Sequence, residues 1–316
     1  MTAPTPIILD CDPGHDDAIA MLLAWGNPSI DLIGVTTVAG NQTLSKVSNN
    51  ALSVARVAGI TGIPFAAGCT DPIVRKLEVA PQVHGESGLD GPQLPTPTMS
   101  LDKRHAVDLI IDLMLSRPKG EVTLVATGPL TNVALAVRRE PRLAEHVREV
   151  VLMGGAIEGG NWTPCAEFNI AVDPEAAQVV FAAGWKVTMV GLDVTHKALA
   201  TDAVKARIAA VGTKPAKFVL DLLEFFGKAY LSHQGFSAPP VHDVVALARV
   251  IDPTVVKAVR AHIDVETQGR ITTGMTVVDL RAPAPESCVT YAANELDFER
   301  FWDLVIDALE RIGDPE

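Results

Sequence analysis

Asp10-Cys11-Asp12-Pro13-Gly14-His15-Asp16-Asp17 places four carboxylates within eight consecutive positions. Carboxylates this close repel one another, and a fold keeps them only with a cation or hydrogen-bond donors set among them. A hard divalent cation with oxygen ligands is the chemistry this pattern predicts. Taken singly, Asp16 or Asp17 reads as a helix-capping acid. Four together favour a metal.

Further polar groups follow apolar segments along the chain: Asn41, then Thr127-Gly128-Pro129-Leu130-Thr131-Asn132, then Asn161, Glu167 and Asn169, and finally His242-Asp243. Each amide alone reads as a turn or cap residue. His242 alone reads as a structural histidine, and His84, in a glycine-rich stretch, as surface. Converging on one rim, the same groups suit a polyhydroxylated ligand held by a metal, because amides both donate and accept and so match sugar hydroxyls. The remaining histidines, His15, His105, His146, His196, His233 and His262, belong to no motif and read as surface or packing residues.

The elements that must carry these groups alternate between strand and helix. Pro6–Leu9 reads as a buried strand, Pro13-Gly14 as a turn and Ala18–Trp25 as a helix. The acids therefore fall at the carboxyl end of a strand and the amino end of a helix, where α/β sheets place ligands. Strands are also expected at 30–37, 64–67, 122–126, 150–153 and 187–190. Helices are expected at 41–58, 106–116, 130–137, 174–183, 216–234, 243–250 and 298–312. Continuous apolar strands between helices predict an α/β fold, a mostly parallel, doubly wound sheet with helices on both faces. Residues 255–265 and 270–280 read as a small antiparallel extension near the C-terminus, and 71–99, rich in Pro and Gly, as a long loop of the functional kind. No repeat or linker divides the chain, so 1–316 reads as a single domain.

With 26 basic and 38 acidic residues among 316, the formal charge is −12, which argues against non-specific nucleic-acid binding. The amino terminus lacks a basic segment before an apolar one, and no apolar run approaches the roughly 20 residues of a membrane span. Cys11, Cys69, Cys165 and Cys288 show no metal or redox spacing and read as thiols of a reducing cytoplasm.

The sequence resembles the nucleoside hydrolases. Asp10-Cys11-Asp12-Pro13-Gly14-His15-Asp16-Asp17-Ala18 matches that family's signature. Val83-His84-Gly85 with Gly88-Leu89, the Thr127–Asn132 segment, Ala166-Glu167-Phe168-Asn169 with Asp173-Pro174-Glu175-Ala176, and His242-Asp243 follow in order. The resemblance implies Ca²⁺-dependent hydrolysis of the N-glycosidic bond of ribonucleosides, by direct attack of a metal-bound water. It implies Ca²⁺ ligation by Asp12, Asp17, the Thr127 carbonyl and Asp243, with Asp12 as the base and Asp10 supporting the cluster from behind. Asp16, Asn41, Asn161, Glu167, Asn169 and Asp243 would grip the ribose, with Met153 and Phe168 packed against it. His84 and His242 would face the base, and His242 would be the acid that protonates it.

Tyr230 and Gln234 lie four apart on one helical face and are expected to overhang the base. This region lacks a tryptophan-rich sandwich, with only Trp162 beside Asn161, so the expected substrates are pyrimidine nucleosides or a broad uridine/inosine set. A homo-oligomer, tetramer or dimer, in the cytoplasm with a role in nucleoside salvage or catabolism completes the expectation. Two rival readings stand beside it. One is a haloacid-dehalogenase-like phosphatase, from whose pattern Pro13-Gly14-His15-Asp16-Asp17 departs; the other is a non-catalytic Ca²⁺-dependent nucleoside binder.

Overall fold

Strand β1 (Thr5–Cys11) lies at the middle of the sheet in a computed structural model that describes residues 3–315. Its side chains alternate between two cores, as a strand's period of two requires. Ile7, Leu9 and Cys11 enter one hydrophobic cluster and Ile8 the other. Burial on both faces is why the strand reads as an unbroken apolar run.

Around it stand β2 (Ile30–Thr37), β3 (Phe65–Ala67), β4 (Thr123–Ala126), β5 (Glu149–Met153) and β6 (Val187–Val190). Beyond them come β7 (Val256–Arg260), β8 (His262–Val265), β9 (Thr276–Asp279) and β10 (Thr290–Leu296). The main sheet runs β3-β2-β1-β4-β5-β6-β10-β7, parallel except for the β10–β7 pair. Because β2 and β4 flank β1 from opposite sides, the chain reverses its direction of winding there. Such a switch point opens a crevice at the strands' carboxyl ends.

The register aligns the ends that matter: Cys11 pairs with Thr37 and Asp10 with Ala126. The loops carrying Asp12, Asn41 and Thr127 therefore leave the sheet on one rim. The His15–Gly26 helix behind β1 is buried from His15 to Ala24, and the Phe298–Ile312 helix packs against it.

The expected antiparallel extension is present as the β8–β9 pair, with one difference. Residues 255–265 form two strands divided at Ala261, of which β8 pairs with β9 while β7 pairs with β10. Strand β10, inserted parallel to β6, was not foreseen, since Asn294 and Glu295 interrupt its apolar pattern. The Asp202–Val211 helix was also missed; only Val204 and Ile208 of it are buried, too few to give a readable stripe. The 71–99 loop carries one helical turn, Pro81–His84. No helix among the described residues is long and apolar enough to cross a membrane.

Candidate active site

The acids at the end of β1 and in the segment after it are all buried. Asp10 points back into the fold, where its Oδ1 accepts from the Thr36 hydroxyl at 2.6 Å and from Asn132 Nδ2 at 2.8 Å. Asp12 Oδ2 accepts from the Asn41 amide at 2.6 Å, whereas its Oδ1 is enclosed without a partner. Asp17 meets the capping reading in part, since its Oδ2 accepts from the Gly14 amide at 3.0 Å. Its Oδ1 accepts from the Thr127 hydroxyl at 2.7 Å. Asp16 Oδ2 accepts from the amides of His242 and Asp243 at 3.0 and 3.4 Å, tying the first loop to the start of the His242–Ile251 helix.

One oxygen from each of Asp16, Asp17 and Asp243 lies within 4.8 Å of the others. Asp12 stands outside that trio, with the enclosed Oδ1 beside it. Burial, followed by the like charges of Asp16, Asp17 and Asp12, pushes the Asp243 carboxyl well above its ordinary range. Burial likewise raises Asp10 and Asp16 to about 7, and Asp12 well above the usual carboxylate range. All-oxygen donors, an enclosed orphan oxygen and carboxylates that raise one another fit a hard cation.

A cavity is lined by Asp16, Asn41, His84, Met153, Asn161, Glu167, Phe168, Asn169, Tyr230, Gln234, His242 and Asp243, the full set named from sequence as touching substrate. Thr127 is on its wall, while Asp12 and Asp17 are not among its lining residues. Glu167 caps the short helix after it, accepting from the amides of Asn169 at 3.0 Å and Ile170 at 3.3 Å, and its Oε2 also takes the Gly155 amide at 2.9 Å. Asn169 Nδ2 donates to the carbonyls of Thr127 at 2.8 Å and Met153 at 3.1 Å. Asn161 Oδ1 accepts from the Phe168 amide at 2.9 Å, and the Phe168 ring meets Trp162 edge-on. The amides and acids are thus pre-oriented by backbone groups.

At the far end, His242 is neither free nor charged. Its Nε2 lies 2.6 Å from the Tyr230 hydroxyl and its Nδ1 2.7 Å from the Thr195 hydroxyl. Burial lowers it to about 3, so the imidazole is neutral near pH 7. The resemblance makes His242 the acid for the leaving base; here it stands, neutral, within a hydroxyl–imidazole–hydroxyl chain. Thr195 and Phe226, which lines the cavity, carried no motif in the sequence.

His15, read from sequence as surface or packing, is fully buried and touches His84. His84 also packs close against Gly14. A Cβ on Gly14 would stand 2.5 Å from His84 Nδ1 and 2.8 Å from Asn41 Nδ2. Gly14 has φ −97°, so contact and not backbone strain forbids a side chain. Gly14→Ala is therefore expected to displace both residues and to lower kcat/KM by on the order of 100-fold. Nucleoside kinetics beside a melting curve check this; unaltered kinetics would show that the close approach does not matter.

A sheet switch point with buried acids and a cavity lined by amides and carboxylates suits a ligand rich in hydroxyls. The family model for inosine-uridine preferring nucleoside hydrolases matches residues 7–303, and the chain belongs to that family. It is 55% identical over 314 residues to the inosine-uridine preferring nucleoside hydrolase of Crithidia fasciculata, covering 99% of this chain and 100% of that protein. It is 46% identical over 309 residues to the pyrimidine-specific ribonucleoside hydrolase RihA of Shewanella woodyi, covering 96% of this chain and 98% of the relative. Among solved structures, the purine-preferring ribonucleoside hydrolase from Gardnerella vaginalis superposes with a TM-score of 0.91 at 31% identity, over 97% of this chain and 98% of that one. The protein is a ribonucleoside hydrolase that cleaves N-glycosidic bonds, and the phosphatase reading is set aside.

Proposed function

We propose that this hydrolase is Ca²⁺-dependent and acts on pyrimidine ribonucleosides, or on uridine and inosine broadly. The observation that carries the reading is the single cavity with acids and amides around it and the Tyr230–His242 pair at its far end. Relatives named for uridine–inosine and for pyrimidine substrates support the base preference. We take 1–316 as one catalytic domain, assembled as a homotetramer or dimer in the cytoplasm.

Calcium, held by Asp12, Asp17, Asp243 and the Thr127 carbonyl, would fix the ribose diol and make the attacking water more acidic. Asp12 accepts the proton of that water at Oδ1, the oxygen without a protein partner. Asp16, Asn41, Asn161, Glu167, Asn169 and Asp243 hold the ribose hydroxyls, and Met153 and Phe168 cover the ring. The carboxylates oppose the positive charge that grows on the ribose as the bond to the base breaks. Around the base stand His84, Tyr230 and Gln234. The base leaves as an anion unless protonated. As charge grows on it, His242, neutral at rest, would take up a proton from solvent and donate Nε2–H to the Tyr230 oxygen. The Tyr230 hydroxyl would give its own proton to the base, which returns His242 to its neutral form.

A panel of uridine, cytidine, inosine and adenosine assayed for free ribose tests the reading. Turnover of uridine above adenosine supports it, and the reverse order overturns the base preference. His242→Ala is expected to slow inosine cleavage by about 100-fold or more. A riboside whose leaving group departs without a proton, such as p-nitrophenyl riboside, should lose less than about tenfold. Equal losses on both substrates would remove the acid role.

A further inference from the structure

We infer that Asp173 is a positioning residue for nucleoside binding: with Glu175 it ties the 69–84 segment, which carries one wall of the cavity, to the start of the helix that follows Thr127. The inference rests on the nucleoside-hydrolase reading of that cavity. It gives a task to the Asp173-Pro174-Glu175-Ala176 motif, which the reaction itself leaves unused.

Ala80, Val83 and His84 line the cavity. The stretch leading to them has little of its own to hold it. Residues 68–80 form neither helix nor strand. Among the described residues, no backbone group from Thr70 to Val79 bonds another backbone group. Ile73 and Val74 are exposed. Leu77, Ala80 and Val83 pack into a small cluster with Trp162, Phe168 and Val172, apart from the two large cores. So few apolar contacts leave the path of the segment to its polar ties.

Three side chains supply those ties. Asn132 Oδ1 accepts from the Cys69 amide at 2.9 Å. Asp173 Oδ2 accepts from the Ile73 amide at 2.9 Å and from the Thr131 hydroxyl at 2.6 Å. Glu175 accepts from Arg75 Nε at 2.9 Å and Nη2 at 2.6 Å, and the same Nη2 donates to the Thr267 carbonyl at 3.1 Å. Asp173 also has a local task, since its Oδ1 caps the Pro174–Ala182 helix by accepting from the Ala176 amide at 3.0 Å. Capping needs one oxygen, and a serine would serve. The second oxygen, in a fully buried side chain, takes donors from two distant segments, which a cap does not require.

Loss of these ties falls on binding. Thr127 has bonds of its own, its amide to the Asp10 carbonyl at 2.8 Å and its hydroxyl to Asp17 at 2.7 Å, and stays in place without Asp173. The wall formed by the 69–84 segment touches the nucleoside before and during bond breaking alike, and such contacts set KM more than kcat.

The test is hydrogen exchange and uridine kinetics on the whole protein. Ile73 carries the one partnered amide from Thr70 to Val79 among the described residues, so it should be the slow amide of that stretch. Asp173→Ser keeps a hydroxyl to cap Ala176 but offers nothing to Ile73 or Thr131. In it the Ile73 amide should exchange at least about tenfold faster, and KM should rise about tenfold with kcat changed less than about threefold. Glu175→Gln should raise KM about threefold, and Arg75→Gln combined with it should do no more than either change alone. An Ile73 amide or a KM indifferent to Asp173→Ser overturns the inference, as does a fall in kcat larger than the rise in KM. A KM unmoved by Glu175→Gln overturns it too, and that variant decides should Asp173→Ser fail to fold. Hydrogen exchange needs no nucleoside, so a quickened Ile73 amide in a protein that turns over none would sink the functional reading and leave the anchor standing.

Discussion

Asp12→Asn is expected to lower kcat for uridine by about 10³-fold or more, at the upper part of what a positioned base contributes, without loss of fold. Asparagine has nearly the same shape, so its side-chain oxygen can still accept from the Asn41 amide, as Oδ2 does at 2.6 Å. What disappears is the charge at Oδ1, and with it both the proton acceptor and one proposed cation ligand. Stability should respond in the opposite sense. Asp12 is fully buried, and burial followed by the charge of Asp17 pushes its carboxyl up, so ionising it in the metal-free fold is costly. Without a cation the variant should melt no lower than the unaltered protein. Kinetics and melting in a chelator check both halves. A variant that turns over normally would take the base role away from Asp12, and one that melts far lower would make its role structural.

Much of the fold is legible in single segments. The apolar run of Ile7, Ile8 and Leu9 and the acids behind it specify a buried strand that ends in a ligand loop, because burial on both faces and the turn at Pro13-Gly14 are local properties. The Phe298–Ile312 helix likewise carries its stripe in its own sequence. Strand β10 does not: it pairs at five positions with β7 and at three with β6, and polar Asn294 and Glu295 mask its pattern. The same division holds at the site. Carboxylates, amides and His84 stand in motifs and can be read; His15 reaches across 69 residues to His84, and Thr195 across 47 to His242. No spacing along the chain signals such a contact. Even for His242 the motif gives the position but not the protonation state, which burial and the two hydroxyls decide.

Removing the cation is expected to abolish turnover, by at least about 100-fold, and to leave a protein whose stability falls as pH rises. The sign follows from which state binds protons more tightly. Asp10 and Asp16 are raised by burial from 3.8 to about 7, so the folded metal-free chain holds their protons at pH values where the unfolded chain has released them. Their contribution is whole below about pH 4 and is lost as pH climbs through about 7. Counting only half of the displacement for one of these groups gives about 2 kcal/mol. A cation held by Asp12, Asp17 and Asp243, with the Asp16 carboxylate close to the last two, reverses the sense, because it favours the ionised forms. Saturating Ca²⁺ should therefore raise Tm by ~5 °C at pH 8 and by much less at pH 5. Buried apolar side chains contribute about 1.5–3 kcal/mol each and are indifferent to pH, so the core cannot imitate this pattern. Melting curves at both pH values, with chelator and with Ca²⁺, measure it beside uridine turnover. Full activity after thorough chelation, or a Tm unmoved by Ca²⁺ at pH 8, would leave the acidic cluster without its ion.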